Sequence, residues 1–177
     1  LENHDSGVRL LLASHIPSEM DLQNSLAQIA PTIGLLSSLA AVVLLDLGAT
    51  SPSRFKPLLD LCSIIVLVME PIFPSTAFGL AMVEELVECG VNKKNLNLAL
   101  ITRMRTGVQI PWRKIEAQLG IELLGSLPPA ADMAHQASKS MRPLIVMQPK
   151  SVVTDQVHKM AEALAKKAHV APHQSRS

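Results

Sequence analysis

The sequence predicts an α/β fold, a parallel sheet flanked by helices on both faces, and three observations carry that reading. Short apolar runs alternate with longer amphipathic ones along the chain, the rhythm of strands joined by helical crossovers. Two of those runs, Ala41–Leu45 and Ile64–Met69, are apolar without a break, as strands buried on both faces must be. The interior also has to be aliphatic: 48% of the 177 residues are apolar, yet one Trp, three Phe and no Tyr supply all the rings.

Taken in order, Val8–Ala13 is the first strand candidate. Pro17 and Ser18 open a helical stretch towards Leu39, in which Pro31 and Gly34 are expected to kink or split the helix. Ala41–Asp46 follows as an interior strand, then a helix from Pro52 to Leu61 and a second apolar strand, Ile64–Met69. Pro74 suits the first turn of a helix that carries Phe78, Ala81, Met82, Leu86 and Cys89 on one stripe and stops at Gly90. Asn97–Thr102 is the next strand, Pro111–Leu119 a helix closed by Gly120, and Ile121–Leu127 a strand ended by Pro128 and Pro129. Ala130–Met141 reads as helical, Leu144–Val146 as a short extended piece. The closing helix, from Val152 to about Ala168, shows Val153, Val157, Met160, Leu164 and Ala168 on one face. Residues 1–169 are expected to form one domain and residues 170–177 a polar, disordered tail.

Charge excludes more than it suggests. Sixteen basic and 15 acidic residues nearly cancel, so bulk charge gives no reason to expect a nucleic acid or an anionic membrane as partner. Cys62 and Cys89 belong to no CxxC or Cys/His cluster and read as two reduced thiols of a cytoplasmic protein. No apolar run reaches the roughly 20 residues that cross a bilayer, and the N-terminus lacks the layout of a signal peptide.

Four segments, in order, carry a resemblance. Val42–Gly48 is a hydrophobic run ending in an acidic residue and a glycine, Val66–Pro71 a strand ending in a polar step and a proline. Leu100–Arg103 ends a strand in Thr-Arg, and Gly125–Pro128 with Asp132 forms a strand-loop step. Gly7–Ala13 before them, and Ala137–Pro143 with the closing helix after them, extend the pattern over nearly the whole chain. Together they resemble the second half of the MinD/ParA family of deviant-Walker P-loop ATPases, with the CpaE pilus-localisation proteins most similar. The resemblance implies a P-loop NTPase-like fold, incomplete at the N-terminus, and a parent ATPase that positions a pilus, septum or chromosome through ATP-dependent dimerisation. It implies ATP and Mg²⁺ as cofactors of the intact parent, with none expected on this chain alone. As partners it implies a second copy of the chain and proteins of a localisation machinery, without a direct membrane anchor.

By the same resemblance Asp46 is the Walker B-like carboxylate. A carboxylate at the carboxyl edge of a parallel sheet can hold a Mg²⁺-bound water while the metal bridges phosphate oxygens. Read without the family, Asp46 is first an N-cap or loop residue beside Gly48, Thr50 and Ser51, and the resemblance reverses that order. Gly48 is either a nucleotide-sensing switch or a turn glycine. Thr102 and Arg103 stand where the family has Asn-Arg beside the base. A Thr hydroxyl is one short group where Asn has a donor and an acceptor, while Arg103 is either a base contact or a solvated surface residue. Pro128 is either the base-pocket proline or an ordinary turn proline; Glu70 is open in the same way.

The largest departure is that Gly-x-x-x-x-Gly-Lys-Ser/Thr occurs nowhere in the sequence, so the amides and lysine that hold phosphates are missing. No other catalytic set replaces it. His15, His135, His158 and His169 lie in unrelated segments, and His158 with Glu162 lacks the second ligand of a zinc helix. The alternative function is therefore a degenerate ATPase-like domain that binds protein partners without nucleotide. A synthetase or an iron–sulfur carrier is a third reading, and the cysteine spacing argues against the carrier. The Ala41–Asp46 and Ile64–Met69 strands are expected to be central neighbours, with Val8–Ala13 covering the flank left open and self-association at high concentration.

Overall fold

The computed structural model describes residues 1–4, 7–12, 16, 22–103 and 108–170, so the expected helix start at Pro17 and Ser18 and the expected tail from 171 onward lie outside the described residues. Three parallel strands form the central sheet in the order β3 (Ile65–Met69), β4 (Leu96–Ile101), β5 (Glu122–Leu127). Helix α3 (Phe73–Glu88) connects the first pair and α4 (Trp112–Leu119) the second. α4 stops at Gly120, whose φ of 62° is the left-handed cap that a residue with a Cβ enters at a cost.

Cross-strand register sorts the sheet into two faces. Ile65, Leu67 and Met69 lie opposite Leu96, Leu98 and Leu100, and all six join the core cluster with Val83 and Leu86 of α3 and Ile115 and Leu119 of α4. Closest approach on this face is at Gly79 of α3, where an added Cβ would sit 2.9 Å from the Met69 sulfur. The other face carries Asn97 and Ala99, and over its β5 side lies α7 (Val152–Lys167), where an added Cβ on Gly125 would come within 2.6 Å of Met160 Cγ. Helices therefore flank both faces.

Between β4 and β5 the register slips by one. Leu98 pairs with Leu123 but Ala99 pairs with Gly125, so Leu124 is an extra residue in β5 and the strand bulges there. The slip lets Leu123 face the core and Gly125 face α7. Glu116 of α4 accepts a hydrogen bond from the Leu123 amide at 2.9 Å next to the bulge.

Upstream, α1 (Leu22–Leu39) runs as one helix with Pro31 inside it rather than splitting, and Ile33 enters the core beside Leu58 and Leu59. A 3-10 turn (Pro52–Phe55) leads into the short α2 (Lys56–Leu59). After β5 come α5 (Ala131–Lys139) and α6 (Leu144–Met147), so the expected extended piece at Leu144–Val146 is a helical turn begun by Pro143.

Two expected strands are corrected. Ala41–Asp46 forms no strand: Leu45 and Leu47 tuck against the core, but Leu44 is 86% exposed and no ladder engages the segment. A strand exists only through its ladder, and among the described residues none runs beside this one. β3 accordingly forms an edge of the sheet instead of a centre, with Val68 54% exposed on the less covered face. The expected Val8–Ala13 strand is reduced to β2 (Arg9–Leu10), which pairs antiparallel with β1 (Glu2–Asn3) in a hairpin. It does not reach the main sheet, and Ala13 lies outside the described residues. The Arg9 guanidinium donates to the Leu39 carbonyl, tying the hairpin to the end of α1.

Candidate functional site

In an open parallel sheet the carboxyl edge is where loops diverge and ligands settle. Here the three strands deliver Glu70 and Pro71 after β3, Thr102 and Arg103 after β4, and Pro128 and Pro129 after β5. The Thr102 amide donates to the Leu127 carbonyl at 2.9 Å, extending the β4–β5 pairing one residue beyond the strand. Arg103 Nε lies 3.3 Å from Glu70 Oε1, bridging the ends of β4 and β3. Its side chain is 79% exposed, so the pair contributes at most about 1 kcal/mol and serves mainly to hold the guanidinium over the edge. The Glu70 amide in turn donates to Ser75 Oγ at 3.1 Å, and Ile110 N donates to the Pro71 carbonyl at 2.8 Å.

A groove of about 490 Å³ opens at this edge, lined by Thr102, Gln109, Ser126, Pro128, Pro129, Val152 and Gln156. That lies within the roughly 300–1,000 Å³ usual for small-molecule sites. The floor comes from the strand ends and one wall from the first turns of α7. The start of α7 is pinned: Ser151 Oγ accepts from the Thr154 amide at 3.2 Å, and the buried Thr154 hydroxyl donates to the Gln148 carbonyl at 2.7 Å.

Asp46 and Gly48 stand apart from this groove. Asp46 Oδ1 accepts from the Gly48 amide at 3.0 Å, and Gly48 has φ +63°, so the pair closes a tight turn. The structure thus brings Thr102 and Pro128 together, sets Arg103 next to them, and leaves Asp46 and Gly48 on a separate loop. A second groove of about 320 Å³ follows that loop, lined by Ala49, Thr50, Ser51, Phe78, Ala81, Met82 and Glu85. Glu85 Oε1 accepts from Ser51 Oγ at 2.5 Å and from the Ser53 amide at 3.2 Å. The Ser51 hydroxyl first, then the Ser53 amide, hold this carboxyl below the usual carboxylate range.

Three participants escape sequence reading. Ser51–Glu85 and Glu70–Arg103 join residues far apart in the chain, and Gln156 is one polar position among several on α7. Pro128, Thr102, Arg103 and Glu70 each carried a signal in the sequence, but the Glu70–Arg103 pairing did not. Among the described residues no group of three His, Cys, Asp or Glu could hold a metal, and no helix is long and apolar enough to cross a membrane. Cys62 and Cys89 are free and half-buried; burial pushes the Cys62 thiol up.

No protein-family model and no curated protein sequence matches the chain. Among solved structures it is similar to the MinD cell division protein of Aquifex aeolicus, with a TM-score of 0.62 at 14% identity over 85% of this chain and 64% of that one. It is also similar to a chain of the MinC:MinD cell division protein complex of Aquifex aeolicus, with a TM-score of 0.63 at 14% identity over 86% of this chain and 63% of that one. The chain therefore spans less than two thirds of the length of the structures it matches. Identity this low speaks for the fold alone: a three-stranded parallel sheet between helices, arranged as in the matched part of the MinD fold.

Proposed function

We propose that this chain supplies the base side of the nucleotide site of a ParA/MinD/CpaE-like ATPase, one that positions cellular machinery such as a pilus, septum or chromosome through ATP-dependent dimerisation. The observation that carries the reading is the meeting of Thr102 and Pro128 in one groove at the carboxyl edge of a MinD-like sheet, with Arg103 adjacent and paired to Glu70. The residues present fit a base and not a triphosphate. Apolar walls and a few polar groups line the groove, but the sequence holds no Gly-x-x-x-x-Gly-Lys-Ser/Thr run to neutralise phosphates. In the intact site ATP and Mg²⁺ bind together, with Asp46 as the Walker B-like carboxylate, and its second oxygen remains outside the Gly48 turn. Partnership with other proteins is part of the proposal, since one of the similar structures is a MinC:MinD complex.

Calorimetric titration of this chain with ATP and Mg²⁺ is expected to show no micromolar binding. Micromolar binding would refute the inactive-alone part of the reading. Its other part is tested upstream of Leu1 in the reading frame. A phosphate-loop lysine there, with ATP-dependent dimerisation of the longer protein that is lost on Lys→Ala, supports the ATPase. A longer protein with no such motif and no ATP binding leaves the alternative, an interaction domain independent of nucleotide. The exposed rings of Phe73 and Phe78 on α3 favour that second reading, because they offer apolar surface for a partner without any nucleotide.

A further inference from the structure

The groove at the carboxyl edge contains a polar group that the sequence did not single out. Gln156 reaches it from the second turn of α7, a helix whose start is fixed by the Ser151 and Thr154 hydrogen bonds. It is half-buried, and among the described residues none hydrogen-bonds its carboxamide. Its polar atoms are not sealed from solvent, so a ligand seated in the groove can take up a carboxamide that none of those residues engages. The surroundings narrow what such a ligand is. Pro128, Pro129 and Val152 give flat aliphatic walls, while Thr102 and Ser126 contribute single hydroxyls. A planar heteroaromatic ring fits such walls, and its edge needs a neighbouring donor and acceptor. Of the groove's residues, Thr102 can offer only one short hydroxyl, whereas the glutamines Gln109 and Gln156 each offer an N–H donor and a C=O acceptor side by side, and of the two Gln156 is carried by a helix with a fixed start.

We propose that Gln156 reads the hydrogen-bonding edge of a purine base in this groove. This rests on the nucleotide reading above and makes Gln156 its specificity-determining residue. With both a donor and an acceptor, and free to turn over, the carboxamide pairs with the N6/N1 edge of adenine or the O6/N1 edge of guanine. Replacing it by a carboxylate leaves acceptors alone. Adenine N1, itself an acceptor, then loses its partner, while the N1–H and N2–H donors of guanine both keep one. A glutamine with a merely structural role predicts no such exchange.

The test titrates the chain with adenosine and with guanosine, neither of which needs a phosphate loop, and follows the side-chain amide resonances of Gln156. Weak binding of both nucleosides with shifts at Gln156 is expected. Gln156→Leu is expected to weaken both by about tenfold, and Gln156→Glu to move the guanosine-to-adenosine preference by about tenfold towards guanosine. Gln156→Glu keeps the length of the side chain, so it serves if the leucine variant does not fold. Nucleosides that bind wild type and both variants alike, with no change of preference, overturn the role of Gln156 and leave the nucleotide reading standing. Failure of either nucleoside to bind wild type overturns both.

Discussion

Strand β4 and the segment Ala41–Leu47 are equally apolar, and they have opposite fates. In β4, ladders on both sides and helices on both faces bury Leu96 to Leu100, with Leu98 fully excluded from solvent. In Ala41–Leu47, Leu45 and Leu47 find the core while Val42 and Leu44 point into water, and no neighbouring strand takes up the backbone. Apolar sequence therefore states a demand for burial. Whether the demand is met depends on which backbone lies alongside, and that is a property of the assembled sheet.

The comparison breaks most clearly on a pair of truncations. Leu98→Ala is expected to cost about 2–5 kcal/mol by chemical denaturation, because it opens a cavity between β3, β4 and α4. Leu44→Ala, at an exposed site, is expected to change stability by no more than about 0.5 kcal/mol. Similar losses at the two sites would mean that Ala41–Leu47 is buried in solution. The α7 side of the sheet gives a smaller effect. Gly125→Ala is expected to cost about 1–3 kcal/mol by overpacking against Met160, and Met160→Ala in the same chain is expected to relieve part of it. Additive losses in that double variant would show that the two residues do not touch.

At the carboxyl edge the expected changes are smaller still. Arg103→Ala should alter the unfolding free energy by less than about 1 kcal/mol, since its partner Glu70 sits in solvent-accessible surroundings; a larger loss would make the pair structural. The smallest effect concerns Glu85. Its depressed carboxyl adds stability at pH values above the ordinary carboxylate range, and that contribution is lost as pH falls through the folded-state value. Ser51→Ala should move the Glu85 titration back up towards the ordinary value and flatten the acid limb of the stability curve. An unchanged Glu85 titration by NMR would remove Ser51 as the cause.

From β3 to α7, local patterns and tertiary structure agree to within a residue or two at most ends. Pro74, Gly90 and Gly120 punctuate the helices through backbone chemistry that needs no distant partner. Before β3 the agreement falls away. Val8–Ala13 and Ala41–Asp46 have strand composition but lack the neighbours that make a strand; after β5 the exception is Leu144–Val146, a helical turn begun by Pro143. The site divides in the same manner. Thr102 and Pro128 were legible because strand ends in a parallel sheet share one edge. The Glu70–Arg103 pair, the Ser51–Glu85 bond and the place of Gln156 depend on how loops and α7 fold back over that edge, which no local pattern encodes.

The extra residue in β5 makes that strand sensitive to its reading phase. Up to Leu123 the side chains alternate in step with β4; from Gly125 onward they alternate one position later, and only the later phase sets a glycine beneath Met160 and Pro128 at the groove. Removing Leu124 would restore uninterrupted alternation and look harmless in a sequence alignment. It should also keep Leu123 on the core and Gly125 under α7, because Leu98–Leu123 and Ala99–Gly125 already pair with Leu124 skipped. Flattening the bulge with Leu124 retained would instead exchange core for α7 at every residue from Gly125 to Leu127. β5 should therefore tolerate substitution or removal at position 124 far better than the loss of a residue from Gly125 to Leu127, each of which has a partner in β4.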